Sequence, residues 1–221
     1  MDATTTRIIS IEGNIGTGKS TLLSELRKTY AGDPTICFLD EPVHVWNTVK
    51  DENGVTILEK YYADQKRYAF SFQMMAYISR LSAMRAALKK NYRFIITERS
   101  IYTDSAVFAK MLYDDKKIEE VEYQIYKNWL REFIVDFPPV RFIYLKANPT
   151  VSFERVTLRG RQGEVIPLEY LQNCHNYHED WLLIKNKEPL LGLDANTDVK
   201  ANKDILVQWM SAIDEFIRAE L

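Results

Sequence analysis

Short runs of consecutive apolar residues alternate along this chain with longer segments in which apolar residues recur every three or four positions. A short apolar run predicts a strand buried on both faces, and the wider spacing predicts an amphipathic helix. The predicted strands are residues 8–11, 35–39, 93–97, 140–145 and 190–194. The predicted helices are residues 20–30, 64–90, 101–112, 119–135, 150–159, 167–187 and 203–220, and a turn is predicted at residues 51–54. This alternation predicts an α/β fold, in which helices cover both faces of a five-stranded parallel sheet.

The length and composition favour a single globular domain. The chain has 221 residues, of which 46% are hydrophobic and 27% charged, and no linker, repeat or low-complexity segment divides it, so residues 1–221 are interpreted as one domain. The net charge of −2 supplies no basic field for a nucleic-acid backbone, and no apolar run reaches the roughly 18 residues of a membrane span. We therefore expect neither a nucleic-acid partner nor a membrane partner.

Two further patterns concern the cellular compartment. Residues 1–7 carry neither the apolar segment of a signal peptide nor the Arg-rich helix of a transit peptide, which favours a cytoplasmic protein. Cys37 and Cys174 have no partner at CxxC spacing, so a metal site is not indicated. We expect both to be buried thiols in a reducing compartment.

A phosphate-binding motif follows the first predicted strand. Residues 13–20 match G-x-x-x-x-G-K-[ST] (the P-loop), and an amphipathic helix follows them, as this motif requires. Backbone N–H groups of such a loop converge on phosphate oxygens, while Lys19 reaches the β- and γ-phosphates and the Ser20 hydroxyl binds Mg²⁺. The residues expected to bind ATP here are Gly13, Asn14, Ile15, Gly16, Thr17, Gly18, Lys19, Ser20 and Thr21. The motif indicates a nucleoside triphosphate as the donor and leaves the acceptor open.

Charged side chains follow the predicted strands, at the edge where parallel sheets bind ligands. Glu41 follows the second strand, and Glu98, Arg99 and Asp104 follow the third. Phosphoryl transfer needs one group that accepts the proton of the nucleophile and one that positions Mg²⁺, and both glutamates suit either role. The alternatives are a solvated acidic turn and an ion pair with Arg99.

Three arginines form the densest basic cluster of the sequence. Arg155 and Arg159 lie one helical turn apart, and Arg161 follows across Gly160, where the helix is expected to end. Such a cluster suits a lid, approximately residues 155–167, that closes on the triphosphate and stabilises the transferring charge. The alternative is a solvated basic helix end.

The segment from Tyr61 to Arg80 is rich in aromatic residues. Within it, Gln73 offers both a donor and an acceptor to the edge of a nucleobase, and Phe72 offers a stacking surface. The alternative is that the aromatic side chains belong to the core and that Gln73 is a surface amide.

Taken together, these motifs resemble the deoxynucleoside kinase family, and most of all its branch of deoxycytidine, deoxyguanosine and deoxyadenosine kinases. The matching stretches are Gly13–Thr21, Glu41–Val43 with Trp46, Phe70–Gln73 with Ser79 and Arg80, Glu98–Ser100 with Tyr102 and Asp104, Leu158–Arg161, Ile166–Leu171, and Leu193–Asp194 with Asn196. They occur in the order of the family. The resemblance implies ATP- and Mg²⁺-dependent phosphorylation of the 5′-hydroxyl of a deoxynucleoside in nucleotide salvage. It also implies the strand order 2-3-1-4-5 and a homodimer formed through helices.

The resemblance further implies individual roles. Glu41 is implied as the general base, with Arg99 orienting the hydroxyl, while Glu98 and Ser20 position Mg²⁺. The residues implied to bind the deoxynucleoside are Trp46, Tyr62, Phe72, Gln73, Phe108 and Glu164. The residues implied to bind the phosphates or adenine of ATP, besides the P-loop, are Arg155, Arg159, Arg161, Asp194 and Asn196.

Arg80 and Asp104 bear on the preferred base. In the resembled family, an Arg and an Asp at these positions accompany deoxycytidine or purine deoxynucleosides, whereas thymidine-preferring members have smaller or apolar residues there. The 5-methyl group of thymine would meet charge in such a pocket, so we expect thymidine to be disfavoured. The alternative is a structural ion pair that sets no specificity. Two departures from the family are Ser105, where an Arg is usual, and residues 162–165, one residue shorter than in the animal enzymes, which affects the assignment of Glu164.

Two other functions share parts of this pattern. A nucleoside monophosphate kinase has the same fold, but its anionic acceptor needs a basic clamp where Glu41 stands. A GTPase needs the motif D-x-x-G directly after a strand and the motif N-K-x-D later in the chain. Residues 51–54 match D-x-x-G, but they lie in a predicted turn and do not follow an apolar strand. Residues 202–204 lack the spacing of N-K-x-D. We therefore expect a deoxynucleoside kinase, with a thymidine or broad pyrimidine deoxynucleoside kinase as the alternative.

Overall fold

The predicted strands lie side by side in one parallel sheet in the computed structural model, which describes residues 6–161 and 164–219. The strands are β1 (Arg7–Glu12), β2 (Ile36–Leu39), β3 (Phe94–Glu98), β4 (Val140–Lys146) and β5 (Leu190–Asp194), each end within one residue of the prediction. Their order is β2-β3-β1-β4-β5 and every neighbouring pair is parallel, which confirms the predicted fold class and strand order. Because β1 is central, the P-loop lies between the carboxyl ends of β3 and β4.

Helices cover both faces of the sheet. They are α1 (Lys19–Thr29), α2 (Val43–Trp46), α3 (Ile57–Ala63), α4 (Gln65–Leu88), α5 (Ile101–Thr103), α6 (Lys110–Asp114), α7 (Glu120–Ile134), α8 (Pro149–Arg159), α9 (Leu168–Glu179) and α10 (Lys203–Arg218). Two segments, Asp104–Ala109 between α5 and α6 and Asp180–Lys185 after α9, are π-helical. The first π-helical segment carries two of the predicted pocket residues, as is frequent for such segments at functional sites. Within residues 6–161 and 164–219, no helix is long and apolar enough to cross a bilayer.

The hydrophobic pattern does not predict the short helices α2 and α3, which have four and seven residues. α3 begins with a capping box, in which the Glu59 N–H donates to Oγ1 of Thr56 over 3.2 Å and the Thr56 N–H donates to the Glu59 carboxylate over 2.8 Å. The Thr-x-x-Glu spacing is the sequence signal for this helix. The predicted turn before it is confirmed, since the Gly54 N–H donates to the Asp51 carbonyl oxygen over 3.0 Å.

Each face of the sheet packs against its own apolar cluster. On one face, strand residues such as Ile9 pack with Leu23 of α1 and Ile213 of α10, and none of these three side chains is exposed. On the other face, Met84 of α4 and Leu182 of the second π-helical segment cover the strands. Burial of each such side chain stabilises the fold by about 1.5–3 kcal/mol, so the edge that carries the charged residues rests on a rigid core.

The two cysteines are free thiols with different exposure. Cys174 is buried, as predicted. The prediction is wrong for Cys37, which is half-buried because β2 lies at the edge of the sheet and is covered less completely.

Candidate active site

A cavity of about 540 Å³ opens at the carboxyl ends of β1, β2 and β3. One end is lined by the P-loop, the start of the lid and the loop after β5, and the other end by α3, α4 and the first π-helical segment. All predicted site residues line this cavity except Gly13, Asn14, Asp194 and Asn196. The fold thus gathers residues from most of the length of the chain in one place.

The P-loop approaches β4 and α8 so closely that only glycine fits at two of its positions. Gly13 and Gly16 have φ angles of 143° and 85°, which disfavour other residues. A Cβ atom at Gly13 would lie 2.6 Å from the carbonyl oxygen of Leu145, and one at Gly16 would lie 2.5 Å from that of Ser152. The loop leads directly into α1 at Lys19, so a helix N-terminus faces the cavity, which is the arrangement that binds phosphate.

Lys19 is buried at the start of α1, with 4% of its surface exposed. Its Nζ donates to the carbonyl oxygen of Asn14 over 2.6 Å, and Nδ2 of Asn14 donates to that of Leu171 in α9 over 2.8 Å. Burial and then the Arg99 guanidinium lower the pKa of Lys19 to about 7, against the opposing effect of nearby carboxylates. A phosphate beside Nζ would offset this loss and hold Lys19 in its charged form.

Ser20 and Glu98 come together although they are 78 residues apart in the sequence. The Oγ of Ser20 donates to Oε1 of Glu98 over 2.9 Å. A hydroxyl and a carboxylate oxygen are ligands of the kind that Mg²⁺ prefers. Within residues 6–161 and 164–219, no group of three or more His, Cys, Asp or Glu side chains could hold a metal ion. The pair therefore fits a Mg²⁺ ion that takes its remaining ligands from phosphate and water, as this ion commonly does.

Glu41 lies between two arginines at the carboxyl end of the sheet. Nη1 of Arg99 donates to Oε1 of Glu41 over 2.8 Å, and Nη2 of Arg80 donates to the same oxygen over 3.4 Å. Burial alone would raise the pKa of Glu41, but three neighbouring cations, led by Arg99, outweigh it and lower the pKa to about 2. Glu41 is therefore ionised at neutral pH, and 19% of its side chain remains exposed to the cavity. The ion pair considered from the sequence is present, and it leaves the carboxylate accessible.

Arg80 and Asp104 form an ion pair in the same cavity. Nε of Arg80 donates to Oδ2 of Asp104 over 3.0 Å, and the two residues are 4% and 2% exposed. Nη1 of Arg80 also donates to the carbonyl oxygen of Glu98 over 2.8 Å. Burial alone would lower the pKa of Arg80, but the carboxylates of Asp104 and Glu41 outweigh it and raise the pKa above its usual value. Burial also raises the pKa of Asp104, against the opposing effect of Arg80, and the 3.0 Å hydrogen bond holds the two groups together on the cavity wall.

Aromatic rings and one amide form the end of the cavity away from the P-loop. Phe72 stacks on Tyr61 with 4.6 Å between ring centroids, Trp46 meets Phe72 edge-on at 5.3 Å, and Phe108 lines the cavity from the π-helical segment. Gln73 is only 3% exposed, so it is not a surface amide, and none of the described residues donates to its Oε1. Flat apolar walls with one buried amide are suited to a planar heterocycle such as a nucleobase.

Glu164 joins the lid to α3. Its Oε1 accepts a hydrogen bond from the Tyr62 hydroxyl over 3.4 Å, and its Oε2 accepts one from Nη2 of Arg159 over 2.6 Å. Nη1 of Arg161 lies 3.9 Å from Oε1 of the same carboxylate. Tyr62 and Glu164, both implied by the resemblance to bind the deoxynucleoside, are thus joined to each other, and Glu164 pairs with two of the predicted lid arginines. Residues 162–163 of the predicted lid lie outside the part of the chain that the structure describes.

Arg155 differs from the other two arginines of the basic cluster. Its guanidinium donates to the carbonyl oxygens of Ala195 over 2.7 Å and Asn196 over 3.1 Å. Both carbonyl groups belong to the loop after β5, and Oδ1 of Asp194 accepts a hydrogen bond from the Asn196 N–H of this loop over 3.0 Å. Residues Thr197–Lys200 of this loop line the cavity, whereas Asp194 and Asn196 do not. Arg155 therefore shapes one end of the cavity by holding this loop in place.

Tyr61 and Glu12 lie in this region as well, and neither has a role predicted from the sequence. Tyr61 supports the ring of Phe72, and its signal in the sequence is only the density of aromatic residues around it. Glu12 is fully buried at the end of β1 and accepts hydrogen bonds from three hydroxyl groups. A glutamate that ends an apolar strand and directly precedes the P-loop is the signal that marks it.

Comparison with known proteins agrees with this geometry. Residues 9–218 match the model of the deoxynucleoside kinase family. Deoxycytidine kinase of Homo sapiens is 33% identical over 94% of this chain and 90% of its own, and a probable deoxycytidine kinase of fowlpox virus is 35% identical over 95% and 87%. Mitochondrial deoxyguanosine kinase of Xenopus laevis is 32% identical over 88% of this chain and 83% of its own. The resemblance inferred from the motifs is thereby confirmed. The chain belongs to the deoxynucleoside kinase family and is a nucleoside kinase.

Proposed function

We propose that this kinase transfers the γ-phosphoryl group of ATP to the 5′-hydroxyl of deoxynucleosides in nucleotide salvage, and that it favours deoxycytidine and purine deoxynucleosides over thymidine. The observation that carries the proposal is Glu41, an ionised carboxylate that opens to the cavity beside the P-loop. A neutral hydroxyl can approach this carboxylate closely. The phosphate of a nucleoside monophosphate would be repelled by it, which disfavours a monophosphate kinase.

The proposed reaction forms a bond between the 5′-oxygen and the γ-phosphorus and breaks the bond from the γ-phosphorus to the bridging oxygen of the departing ADP. Glu41 accepts the proton of the hydroxyl, and Arg99 holds the carboxylate towards it through the 2.8 Å hydrogen bond. Because the transition state of phosphoryl transfer is loose, the hydroxyl becomes acidic late in the reaction. A carboxylate with a low pKa therefore suffices as the acceptor.

The donor end supplies positive charge for the triphosphate. In the proposal, Lys19 and the P-loop contact the β- and γ-phosphates, and Arg159 and Arg161 contact the transferring group from the lid. Ser20 and Glu98 would hold Mg²⁺, which would neutralise part of the phosphate charge. Arg159 then exchanges its ion pair with Glu164 for the phosphate, which leaves that carboxylate and Tyr62 to bind the 3′-hydroxyl of the sugar.

The base end supports the proposed preference. Gln73 is buried and lines the cavity beside Phe72 in the sequence, so its amide can pair with the edge of a base that Phe72 and Phe108 sandwich. Arg80 and Asp104 form a fixed ion pair beside this position. An apolar 5-methyl group placed against this pair would desolvate charge without compensation, whereas an amino group or a ring nitrogen can hydrogen-bond to it.

We also propose that the protein is a homodimer. Val121, Ile125 and Trp129 follow one another at four-residue spacing on α7 and are 60%, 42% and 49% exposed, and Ile78 of the adjacent α4 is 42% exposed. Exposed apolar stripes of this kind mark interaction surfaces. A second copy of the chain can cover the stripe by two-fold symmetry, because the same apolar surface then meets itself.

A substrate panel tests the proposed function. The four deoxynucleosides and their 5′-monophosphates are each incubated with ATP and Mg²⁺, and kcat/KM is measured for each. We expect phosphorylation of deoxycytidine, deoxyadenosine and deoxyguanosine, weaker phosphorylation of thymidine, and none of the monophosphates. A preference for thymidine would favour the pyrimidine kinase alternative, and transfer to monophosphates alone would overturn the proposal.

A further inference from the structure

Ser79 lies in one of the stretches that match the deoxynucleoside kinase family, but the proposed reaction gives it no role. It belongs to α4, directly precedes Arg80 and is 9% exposed. It does not line the cavity that gathers the predicted site residues. A buried hydroxyl group needs hydrogen-bond partners, because its polar atoms have lost their contacts with water. The partners of Ser79 therefore indicate what this residue contributes.

The hydroxyl group of Ser79 joins α4 to the indole of Trp46. Nε1 of Trp46 donates to Oγ of Ser79 over 2.9 Å, and Oγ of Ser79 donates to the carbonyl oxygen of Ala76 over 3.0 Å. The bond to Ala76 uses the hydroxyl proton and leaves a lone pair for the indole. Trp46 is only 5% exposed, and an indole N–H can only donate, so this buried group depends on the acceptor that Ser79 supplies.

Trp46 in turn supports the ring on which the base is proposed to stack. Its ring meets that of Phe72 edge-on, with 5.3 Å between the centroids and an angle of 82° between the planes. Both residues line the cavity. An edge-on contact between two rings is favourable only in a limited range of orientations. The hydrogen bond that fixes the indole of Trp46 therefore also constrains the ring of Phe72.

The same hydrogen bond anchors α2 to α4. α2 has only four residues and ends at Trp46, and a helix of this length is not stable without tertiary contacts. Consecutive residues of α4 contact the segment from Glu41 to Trp46 at its two ends. Ser79 accepts from Trp46, and Nη2 of Arg80 donates to the Glu41 carboxylate over 3.4 Å. Ser79 thus holds the end of the segment that faces the base, and Arg80 holds the end that carries Glu41.

We propose that Ser79 is a positioning residue for deoxynucleoside binding: its hydroxyl group fixes the indole of Trp46 against Phe72 and thereby shapes the wall on which the base stacks. This inference rests on the proposed function, which places the base beside Phe72. Glu41 has its own hydrogen bonds to Arg80 and Arg99, and neither involves Ser79. Loss of the hydroxyl group should therefore weaken the binding of the deoxynucleoside more than it slows phosphoryl transfer.

Removal of the hydroxyl group tests the inference by steady-state kinetics with deoxycytidine. Ser79→Ala deletes the acceptor and preserves α4, because alanine is the best helix former. Ser82→Ala is the matched control, since Ser82 lies three residues later on α4, is exposed and does not line the cavity. In S79A we expect KM to rise by roughly 5- to 100-fold, the factor that corresponds to a buried donor without its partner, and kcat to change by less than about 3-fold. Both constants should be unchanged in S82A.

The indole N–H of Trp46 gives a measurement that needs no substrate. The chain has four tryptophans, so NMR of ¹⁵N-labelled protein shows four indole signals, and the signal that disappears in Trp46→Phe belongs to Trp46. Hydrogen exchange of this N–H is slow as long as it is buried and bonded. We expect the exchange to become roughly 10-fold faster or more in S79A, because the N–H loses its acceptor, and to stay slow in S82A.

A double-mutant cycle shows whether Ser79 acts through Trp46. Trp46→Phe removes the indole N–H and keeps an aromatic ring. In this background, Ser79→Ala should cause no further rise in KM, because the hydroxyl group no longer has an indole to fix. If Ser79 acted through its neighbour Arg80 instead, S79A would raise KM by the same factor in both backgrounds. It would then also change the ratio of kcat/KM for thymidine to that for deoxycytidine, which we expect to stay constant.

Ser79→Thr keeps the hydroxyl group and should restore both the slow exchange of the Trp46 indole and most of the affinity for deoxycytidine. An S79A protein with the KM and the indole exchange of S82A would overturn the inference, and so would additive effects in the double-mutant cycle. If S79A does not fold, Trp46→Phe alone breaks the same hydrogen bond, and an unchanged KM in that variant would equally overturn the inference. If the unchanged protein phosphorylates no nucleoside, the proposed function fails, while the indole exchange still decides whether Ser79 fixes Trp46.

Discussion

Nη1 of Arg99 donates to Oε1 of Glu41 over 2.8 Å and thereby bridges the carboxyl ends of β3 and β2. The backbone of Arg99 is in the left-handed region, with φ at 61°. Such conformations cost about 1–3 kcal/mol outside glycine and are retained mainly where function depends on them. Here the conformation directs the guanidinium towards Glu41, which keeps that carboxylate both charged and oriented.

Glu41→Gln should lower kcat by roughly 10²–10⁴-fold, the usual contribution of a general base, because the amide cannot accept the proton. The fold should be retained, since the amide oxygen still accepts from Arg99. Steady-state kinetics with deoxycytidine, together with the circular dichroism of the protein, checks both statements. Glu179→Gln is the control, because Glu179 accepts from the Tyr144 hydroxyl over 2.6 Å and does not line the cavity. An unchanged kcat would exclude Glu41 as the base.

Arg99→Met should move the acid limb of kcat to higher pH. Arg99 is the strongest of the cations that lower the pKa of Glu41 to about 2, so its loss raises that pKa. The proton acceptor is active above its pKa and is lost as the pH falls through it, so a higher pKa makes activity disappear at a higher pH. Arg99→Lys keeps a positive charge and should shift the limb less. Identical acid limbs in all three proteins would show that Arg99 does not set the ionisation of Glu41.

Replacing Arg80 and Asp104 together with Val and Ala should raise the ratio of kcat/KM for thymidine to that for deoxycytidine by roughly 10-fold or more, the effect of accommodating one methyl group. The double variant should also be more stable than either single variant. A single replacement leaves one buried charge without its partner, which costs about 3–5 kcal/mol. Unfolding midpoints and the substrate panel measure the two effects, and a ratio that does not move would show that the pair is purely structural.

Trp129→Glu should convert a homodimer into a monomer, because it places a charge within the apolar stripe on α7. Val207→Glu is the matched control, since Val207 is 67% exposed on α10, outside the stripe. Light scattering after size exclusion gives the mass of each variant. A monomeric unchanged protein, or a dimeric Trp129→Glu variant, would contradict the proposed interface.

Local patterns in the sequence predict the elements of this fold and its phosphate-binding loop. Five apolar runs end within one residue of the observed strand ends, because a strand buried on both faces needs a continuous apolar run. The motif at residues 13–20 is contiguous, so its chemistry can be interpreted without tertiary contacts. Helices of four and seven residues escape the hydrophobic pattern, and edge exposure of Cys37 depends on the strand order rather than on neighbouring residues.

The partners of the charged residues are decided by the tertiary structure. The sequence presents Glu41, Glu98 and Arg99 as candidates, but only the packed sheet pairs Arg99 with Glu41 across 58 positions and Ser20 with Glu98 across 78. The hydroxyl groups of Ser10, Ser100 and Thr103, which donate to Glu12, likewise come from residues that have no distinctive spacing in the sequence. Composition and periodicity indicate whether a residue is buried or exposed. Hydrogen bonds and pKa values depend on ångström-scale distances, which exist only once distant segments have packed together.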